Sequence, residues 1–238
     1  MDSQEMKELA GVRAADELVT SNMKLGLGTG STAVYVIRRV AARLASGEVK
    51  NIWVFPTSLQ TEVECEKLGI PHYSLNSPEL SGGLDLTIDG ADEIDPENRL
   101  VKGGGAALLV EKLAAYNSTH YAIVADESKL VPHLGIRFAV PVEVIPGARI
   151  TVTRSLEKLG AAVILRDAIR KAGPVITDHG NLILDIRFRE PVDPLDLEER
   201  INMIPGVVEN GFFAGPQEKR VRPRLYIGRS NGTVEERD

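Results

Sequence analysis

A single cysteine, Cys65, in 238 residues excludes an internal disulfide and any metal site built from several thiolates. Its expected role is core filler. The four histidines, His72, His120, His133 and His179, are widely separated and show none of the HxxxH-type spacing of metal ligands, so no protein-built metal centre is expected. No apolar stretch approaches the roughly 20 residues needed to cross a bilayer. The opening segment MDSQEMKELAG is polar and mixed in charge rather than signal-like, and a cytoplasmic protein is expected. Positive charge is in deficit as well: a formal net charge of −6 opposes broad nucleic-acid binding, which needs a positive field along the phosphate backbone. The basic run QEKRVRPR, Gln217 to Arg224, contains Glu218 and lacks interleaved aromatics, which suits a solvated loop or edge better than a polyanion site. No internal repeat, low-complexity tract or long linker is visible.

What is present is enough apolar material for a real core, 43% of residues, in one large domain or two modest ones. From Gln4 to Val19 apolar residues recur at helical spacing. KLGLG then reads as a short buried strand, TGSTAVYVIRRVAARLASG as a helix stopping near Gly47, NIWVFPTS as a strand, LQTEVECEKLG as a helix ending at Gly69, and LDLTIDG as another strand. After a turn at Asp95 and Pro96, RLVKGGG leads into the helix AALLVEKLAAYNS, followed by the strand HYAIVAD. Short apolar strands alternating with helices predict βαβ units and a mostly parallel sheet. Beyond Pro132 the texture changes. FAVPVEVIP, RSLEKLGA, DHGNLILDIRF and DLEERINMIPGV form a βαββα-like string, a small α+β unit from about Gly135 to Gly211, and RLYIGR is a candidate strand returning to the first sheet. The predicted domains are an α/β domain over 1–134 and 212–238 and a small α+β domain over 135–211.

Three unusual segments, GLGTGST, DGADEID and KGGGAA, begin where predicted strands end, the edge at which parallel sheets bind ligands, and so are candidates for one shared site. GLGTGST has Ser31 where a dinucleotide fingerprint needs its third glycine and lacks the lysine of a Walker loop. Helix-terminal amides there suit a phosphate or sugar hydroxyls; the competing reading is a tight turn capped by Ser or Thr. DGADEID does not follow the calcium-loop order. Either its acids cap a turn and face water, or Asp89 and Asp92 point into a cleft as partners for hydroxyls. In KGGGAALLVEK three adjacent glycines precede a helix. With the helix starting near Gly105, Glu111 lies in its second turn, about 9 Å along the axis. Flanked by apolar residues, the carboxylate is expected to be partly desolvated, with its pKa raised toward the range of a general base; the alternative is an ordinary surface Glu beside Lys112. In VADESKL, Lys129 is either a phosphate partner or an exposed loop lysine.

Order and spacing together resemble one family, ribose-5-phosphate isomerase, type A. The matching stretches are GTGST (Gly28 to Thr32), DGADEI (Asp89 to Ile94), KGGGAAL followed by EK (Lys102 to Lys112), ADESK (Ala125 to Lys129), PVEVIP (Pro141 to Pro146) and IPGVV (Ile204 to Val208). Two segments depart from the family pattern. RDAIRKAGPVITDHGN is longer than the usual connection and has His179 in place of Asn in a TDNGN-like turn, and the part around Gln217 to Arg224 is longer and more basic. The resemblance implies a doubly wound, Rossmann-like α/β domain with a ferredoxin-like α+β domain, assembled as a homodimer or homotetramer. It implies interconversion of D-ribose 5-phosphate and D-ribulose 5-phosphate in the pentose phosphate pathway, through an enediolate and without metal or organic cofactor. Glu111 is then the base. Lys102 and the amides of Gly103, Gly104 and Gly105 stabilise negative charge, and Asp89 and Asp92 bind hydroxyls, Asp89 also assisting ring opening. Thr29, Gly30, Ser31 and Thr32, with Lys129 and Lys7, hold the phosphate end, and Gly90 and Ala91 complete the substrate contacts. Two rivals remain: a transferase of related architecture whose Glu attacks an acyl-CoA thioester, and a non-catalytic phosphosugar sensor.

Overall fold

The computed structural model describes residues 1–214 and 222–238. In chain order its helices and strands are α1 (Ser3–Leu18), β1 (Lys24–Leu27), α2 (Gly30–Ala45), β2 (Trp53–Pro56), α3 (Leu59–Leu68), β3 (Leu84–Asp89), β4 (Glu93–Ile94), β5 (Leu100–Val101), α4 (Leu108–Tyr116) and β6 (Ser118–Asp126). There follow β7 (Val140–Val144), α5 (Arg149–Lys158), β8 (Ala162–Leu165), β9 (Leu182–Arg187), α6 (Pro194–Asn202), β10 (Val207–Asn210), β11 (Phe212–Phe213), β12 (Arg224–Gly228) and β13 (Val234–Arg237). Contacts divide the chain into two compact units, Met1–Gly90 with Val110–Lys129 and Val221–Asp238, and Ala91–Leu109 with Leu130–Arg220. No helix among the described residues is long and apolar enough to cross a membrane.

The first unit holds a six-stranded sheet in the order β13-β12-β6-β3-β1-β2. All neighbours run parallel except β13, which pairs antiparallel with β12 at the edge. RLYIGR does return to this sheet, as β12 beside β6. In β2 the side chains alternate between faces: Val54 joins the cluster of Ala10, Ala14, Val36, Ile37 and Val40 from α1 and α2, whereas Trp53 and Phe55 join Leu80, Val110 and Ala114. That alternation lets helices cover both faces. The N-terminus of α1 is closed by a capping box, with Asp2 accepting from the Gln4 and Glu5 amides at 2.8 and 2.9 Å and Glu5 accepting from the Asp2 amide at 2.8 Å, worth about 1 kcal/mol. Its C-terminal carbonyls are closed by a buried guanidinium: Arg43 donates to the Ala15 and Val19 oxygens at 2.6 and 3.0 Å while pairing with Glu48. Gly11 lets α1 and α2 approach, since a Cβ there would lie 2.9 Å from Tyr35 Cβ. α3 stops at Gly69, left-handed at φ 67°, as its sequence predicts.

Cys65 of α3 is fully buried in the α1–α2 side of this core, and burial pushes its thiol up to about 12. The folded state thus keeps the thiol proton at pH values where the unfolded chain, ionising near about 8.5, has lost it. This contribution to stability is complete below about pH 8.5 and is lost as the pH rises toward 12. Alkylating reagents are expected to leave Cys65 untouched in the native protein at pH 8 and to modify it in denaturant, and Cys65→Ser is expected to flatten the fall in denaturation midpoint above pH 9. Rapid native alkylation would contradict this.

The second unit contains a four-stranded antiparallel sheet, β10-β7-β9-β8. With α5 after β7 and α6 after β9, the chain runs βαββαβ in a ferredoxin-like order. Its core is Val142, Val144, Val152, Leu156, Leu184, Ile186, Leu197 and Ile201, in which the alternate residues of β7 and β9 meet one face each of α5 and α6. A three-stranded ribbon, β11-β5-β4, belongs to the same unit. His179 sits exposed in the Thr177–Asn181 turn, where the conformation is held by Thr177 and Asn181 on Glu143 Oε1, both at 2.8 Å; the side chain at the tip is free of that network. Of the basic run, residues 217–221 lie outside the described residues. Arg224 is in β12 and pairs with Glu17 and Glu236.

Candidate active site

In the first unit the site residues gather at the carboxyl ends of β1 and β3. The Gly28 amide extends the ladder to the Ile88 oxygen at 2.9 Å, and a Cβ at Gly28 would fall 2.0 Å from Asp89 Oδ1. Only glycine permits this approach. Asp89 is fully buried, and its Oδ1 accepts from the Thr29 amide at 3.0 Å and the Gly90 amide at 2.7 Å. The first and second unusual segments are therefore tied together through one carboxylate. Thr29 is the N-cap of α2 but makes no side-chain cap. Its hydroxyl instead meets Thr57 at 2.9 Å and Ser58 at 2.7 Å in the loop after β2. The capped-turn reading thus gives way to amides of Gly30, Ser31 and Thr32 that the helix leaves without intrahelical acceptors. Such a terminus favours an anion, and the Lys7 ammonium stands beside it, donating to Ser31 Oγ at 3.2 Å. Lys129 follows β6 in a half-buried turn. Its neighbour Glu127 bonds with the Ser230 amide and Arg229, both at 3.3 Å; hydrogen bonds from the Ser230 side chain first, then from Arg229, hold its carboxyl below the ordinary value, while Lys129 forms no ion pair among the described residues.

In the second unit the remaining three acids of DGADEID separate into two roles. Glu93 is 1% exposed and accepts from the amides of Gly135, Arg137 and Phe138 at 2.5, 2.6 and 2.7 Å. Asp95 accepts from the Glu97 and Arg99 amides at 3.0 and 2.8 Å and from Arg99 Nε at 2.5 Å. Both acids hold loops. Asp92, half-buried between Ala91 and Glu93, accepts the Gly104 amide at 2.7 Å and so joins the DGADEID segment to the glycine turn. Lys102 is 2% exposed; its amide donates to the Gly211 oxygen at 2.9 Å, and its ammonium lies 5.5 Å from the Phe213 ring centroid, within cation–π range. Gly103 has φ +102°, and a Cβ there would meet Pro141 at 2.8 Å and Leu108 at 2.9 Å.

The helix after the glycines starts later than the sequence predicts. Left-handed backbone at Gly103 and at Ala106, φ 60°, is incompatible with α-helix, so α4 begins at Leu108 and Glu111 sits in its first turn rather than its second. Glu111 is 4% exposed, which removes the surface-Glu reading, and Lys112 beside it is equally buried at 3%.

Several polar groups escaped the sequence reading. Thr57 and Thr61 are buried around Thr29, and Thr61 donates to the Gly28 oxygen at 2.7 Å. Asp126, 1% exposed at the end of β6, accepts from the Ser128 amide at 3.0 Å; the strand-end argument that selected Asp89 would have selected it too. Among the described residues, Glu62, Glu66 and His72 form one group whose donor atoms converge within 4.8 Å, on the outer side of α3. His72 Nε2 is 3.7 Å from Glu62 Oε1, a surface carboxylate–histidine pair.

A valine at Gly104 would bring its Cβ within 2.6 Å of Asp92 Oδ1. The displaced group is the end of a side chain and Gly104 is exposed, so Gly104→Val is expected to lower the melting temperature little. A collapsed melting transition would contradict this.

The family model for ribose 5-phosphate isomerase A (phosphoriboisomerase A) matches residues 53–232. A ribose-5-phosphate isomerase A from Treponema denticola is 50% identical over 243 residues, covering 99% of this chain and 100% of the relative. One from Thermosynechococcus vestitus is 50% identical over 209 residues, 88% of this chain and 87% of the relative. Among solved structures, a D-ribose-5-phosphate isomerase in complex with phospho-erythronic acid superposes with TM-score 0.92 at 39% identity over 100% of both chains. The ribose 5-phosphate isomerase of Plasmodium falciparum gives 0.91 at 38% identity over 99% of this chain and 98% of that one. Full-length identity of this order, on a fold whose glycine turns are stereochemically required where the motifs place them, means that the chain belongs to the ribose 5-phosphate isomerase A family of enzymes.

Proposed function

We propose that the protein interconverts D-ribose 5-phosphate and D-ribulose 5-phosphate through an enediolate, with Glu111 as the base. In the aldose-to-ketose direction the Glu111 carboxylate takes the C2 proton, the C2–H electrons form the C1–C2 double bond, and the carbonyl electrons move to O1. The proton returns to C1, the O2 hydroxyl proton passes to O1, and C2 becomes the ketone, so no atom or electron is gained or lost. The step needs one positioned base and donors for the developing oxyanion.

Lys102 and the glycine-turn amides fill the second role, with one refinement: the Gly104 amide is already held by Asp92. The Gly105 amide, exposed and with no acceptor among the described residues, is the better donor. Asp89 binds hydroxyls and assists ring opening; Asp92 and the backbone of Gly90 and Ala91 complete the hydroxyl contacts. The α2 amides of Gly30 to Thr32, the Thr29 hydroxyl, Lys7 and Lys129 take the phosphate, since dianion charge favours a helix N-terminus flanked by ammonium groups.

The observation that carries the reading is the burial of the Glu111 carboxylate in the first turn of the helix that follows the glycine turn. Incubation with ribose 5-phosphate in excess chelator, following ketose formation, tests reaction and metal independence together. Ketose at unchanged rate supports the proposal; no ketose without added metal, or none at all, refutes it. An acyl-CoA with an acceptor acid, tried in parallel, tests the transferase alternative.

A further inference from the structure

Behind the glycine turn stands a guanidinium that the sequence reading left in a long connection. Arg166, directly after β8, is 14% exposed in its side chain, and its partner Asp185 of β9 is 22% exposed. Two contacts run to the carboxylate, Nε to Oδ2 at 2.8 Å and Nη2 to Oδ1 at 2.5 Å, the bidentate fork that locks a guanidinium plane. The remaining nitrogen, Nη1, donates to the Gly103 oxygen at 2.9 Å and the Gly104 oxygen at 3.1 Å.

These contacts fix two successive peptide planes. In a trans peptide the C=O and N–H point in opposite directions, and no cis bond occurs among the described residues. The Gly103–Gly104 unit is held at both ends, its carbonyl by Arg166 and its N–H by Asp92 at 2.7 Å. Among the described residues the Gly104–Gly105 unit is held only at its carbonyl, which turns the Gly105 N–H away from Arg166 into the open. A cation on the carbonyl also polarises the peptide and strengthens the N–H as a donor. Glycines have no side chains to hold such a turn, so the orientation has to come from outside it.

We propose that Arg166, fixed by Asp185, is a positioning residue for the isomerisation: it orients and polarises the peptide whose Gly105 N–H receives the enediolate oxyanion. This rests on the reading of the glycine turn given above. Arg166 touches no reacting atom, and it acts on the charged intermediate more than on the neutral sugar.

The test compares Arg166→Ala, Arg166→Lys and Asp185→Asn with the unaltered protein in kcat, KM, melting temperature and two dissociation constants. One probe is phospho-erythronic acid, whose carboxylate stands in for the enediolate oxygens; the other is ribitol 5-phosphate, which carries the phosphate and hydroxyls but no charge at that end. Arg166→Ala is expected to lower kcat on the order of 10²-fold with KM changed less than about threefold, and to weaken phospho-erythronic acid by a factor that follows the loss in kcat/KM, about tenfold or more. Ribitol 5-phosphate should bind as before. Arg166→Lys, which offers a point charge in place of a fork, should recover only part of the loss. Equal weakening of both probes, or unchanged kcat, overturns the proposal. If Arg166→Ala gives no cooperative melt, Asp185→Asn decides by the same pair of affinities. An unaltered protein without isomerase activity would remove the functional reading itself, whereas an active one with an unaffected Arg166→Ala removes the positioning role alone.

Discussion

Glu111→Gln is expected to lower kcat on the order of 10²–10⁴-fold, the range for removal of a general base, and to leave KM and the melting temperature close to those of the unaltered protein. The substitution keeps shape and hydrogen-bonding capacity. It also replaces a buried carboxylate, 4% exposed, by a neutral amide, which carries a smaller desolvation cost. A lost base has a second signature. The unaltered enzyme working in heavy water should wash deuterium into the product at the carbon that receives the returned proton, and the Gln variant should not. A Gln variant that turns over at a near-normal rate and still exchanges deuterium takes Glu111 out of the mechanism.

Lys102→Met is expected to cost kcat on the order of 10²–10³-fold, the magnitude for losing one oxyanion donor, in protein that still folds and melts cooperatively. Two effects compete here. The ammonium is 2% exposed and stacks near Phe213, contributing about 0.5–2 kcal/mol in such a setting. Against this, methionine escapes the desolvation penalty of several kcal/mol that a buried ammonium carries, offset by the cost of leaving the ammonium's buried partners without their cation. Methionine also retains packing against Phe213. A purely structural lysine would give the reverse pattern, a lower melting temperature with kcat intact in the surviving folded fraction. Calorimetry and steady-state kinetics on the same preparation separate the two.

Legibility in the sequence followed the range of the forces involved. The helix of α1 was readable because its apolar period acts within a few residues, and the end of α3 at Gly69 because a left-handed cap favours glycine locally. The alternation of strands and helices implied the parallel sheet, and β12 was legible as a returning strand from its apolar run alone. The start of α4 was misplaced because the preference of AALLVEK for helix is local, whereas the turn before it, left-handed at Gly103 and Ala106, is held by partners distant in sequence, Arg166 on the Gly103 and Gly104 oxygens and Asp92 on the Gly104 amide. Within DGADEID the sequence set Asp89 and Asp92 apart in only one of two open readings. What distinguishes the four acids is which loop amides each one meets, and those amides lie up to 45 residues away, as with Glu93 and Phe138.

Arg166 shows the same limit most clearly. Its partners are 19 residues ahead at Asp185 and more than 60 behind at Gly103 and Gly104, and no spacing rule connects them. By itself the sequence determined which residue types this protein has available for proton transfer and anion binding, and that its glycines had to precede helices, because propensity, capping and hydropathy act between near neighbours. Which acids hold loops, which amide is left facing outward and which cation stands behind it were decided only by the tertiary structure, since a hydrogen bond is directional and short and forms wherever folding brings donor and acceptor together.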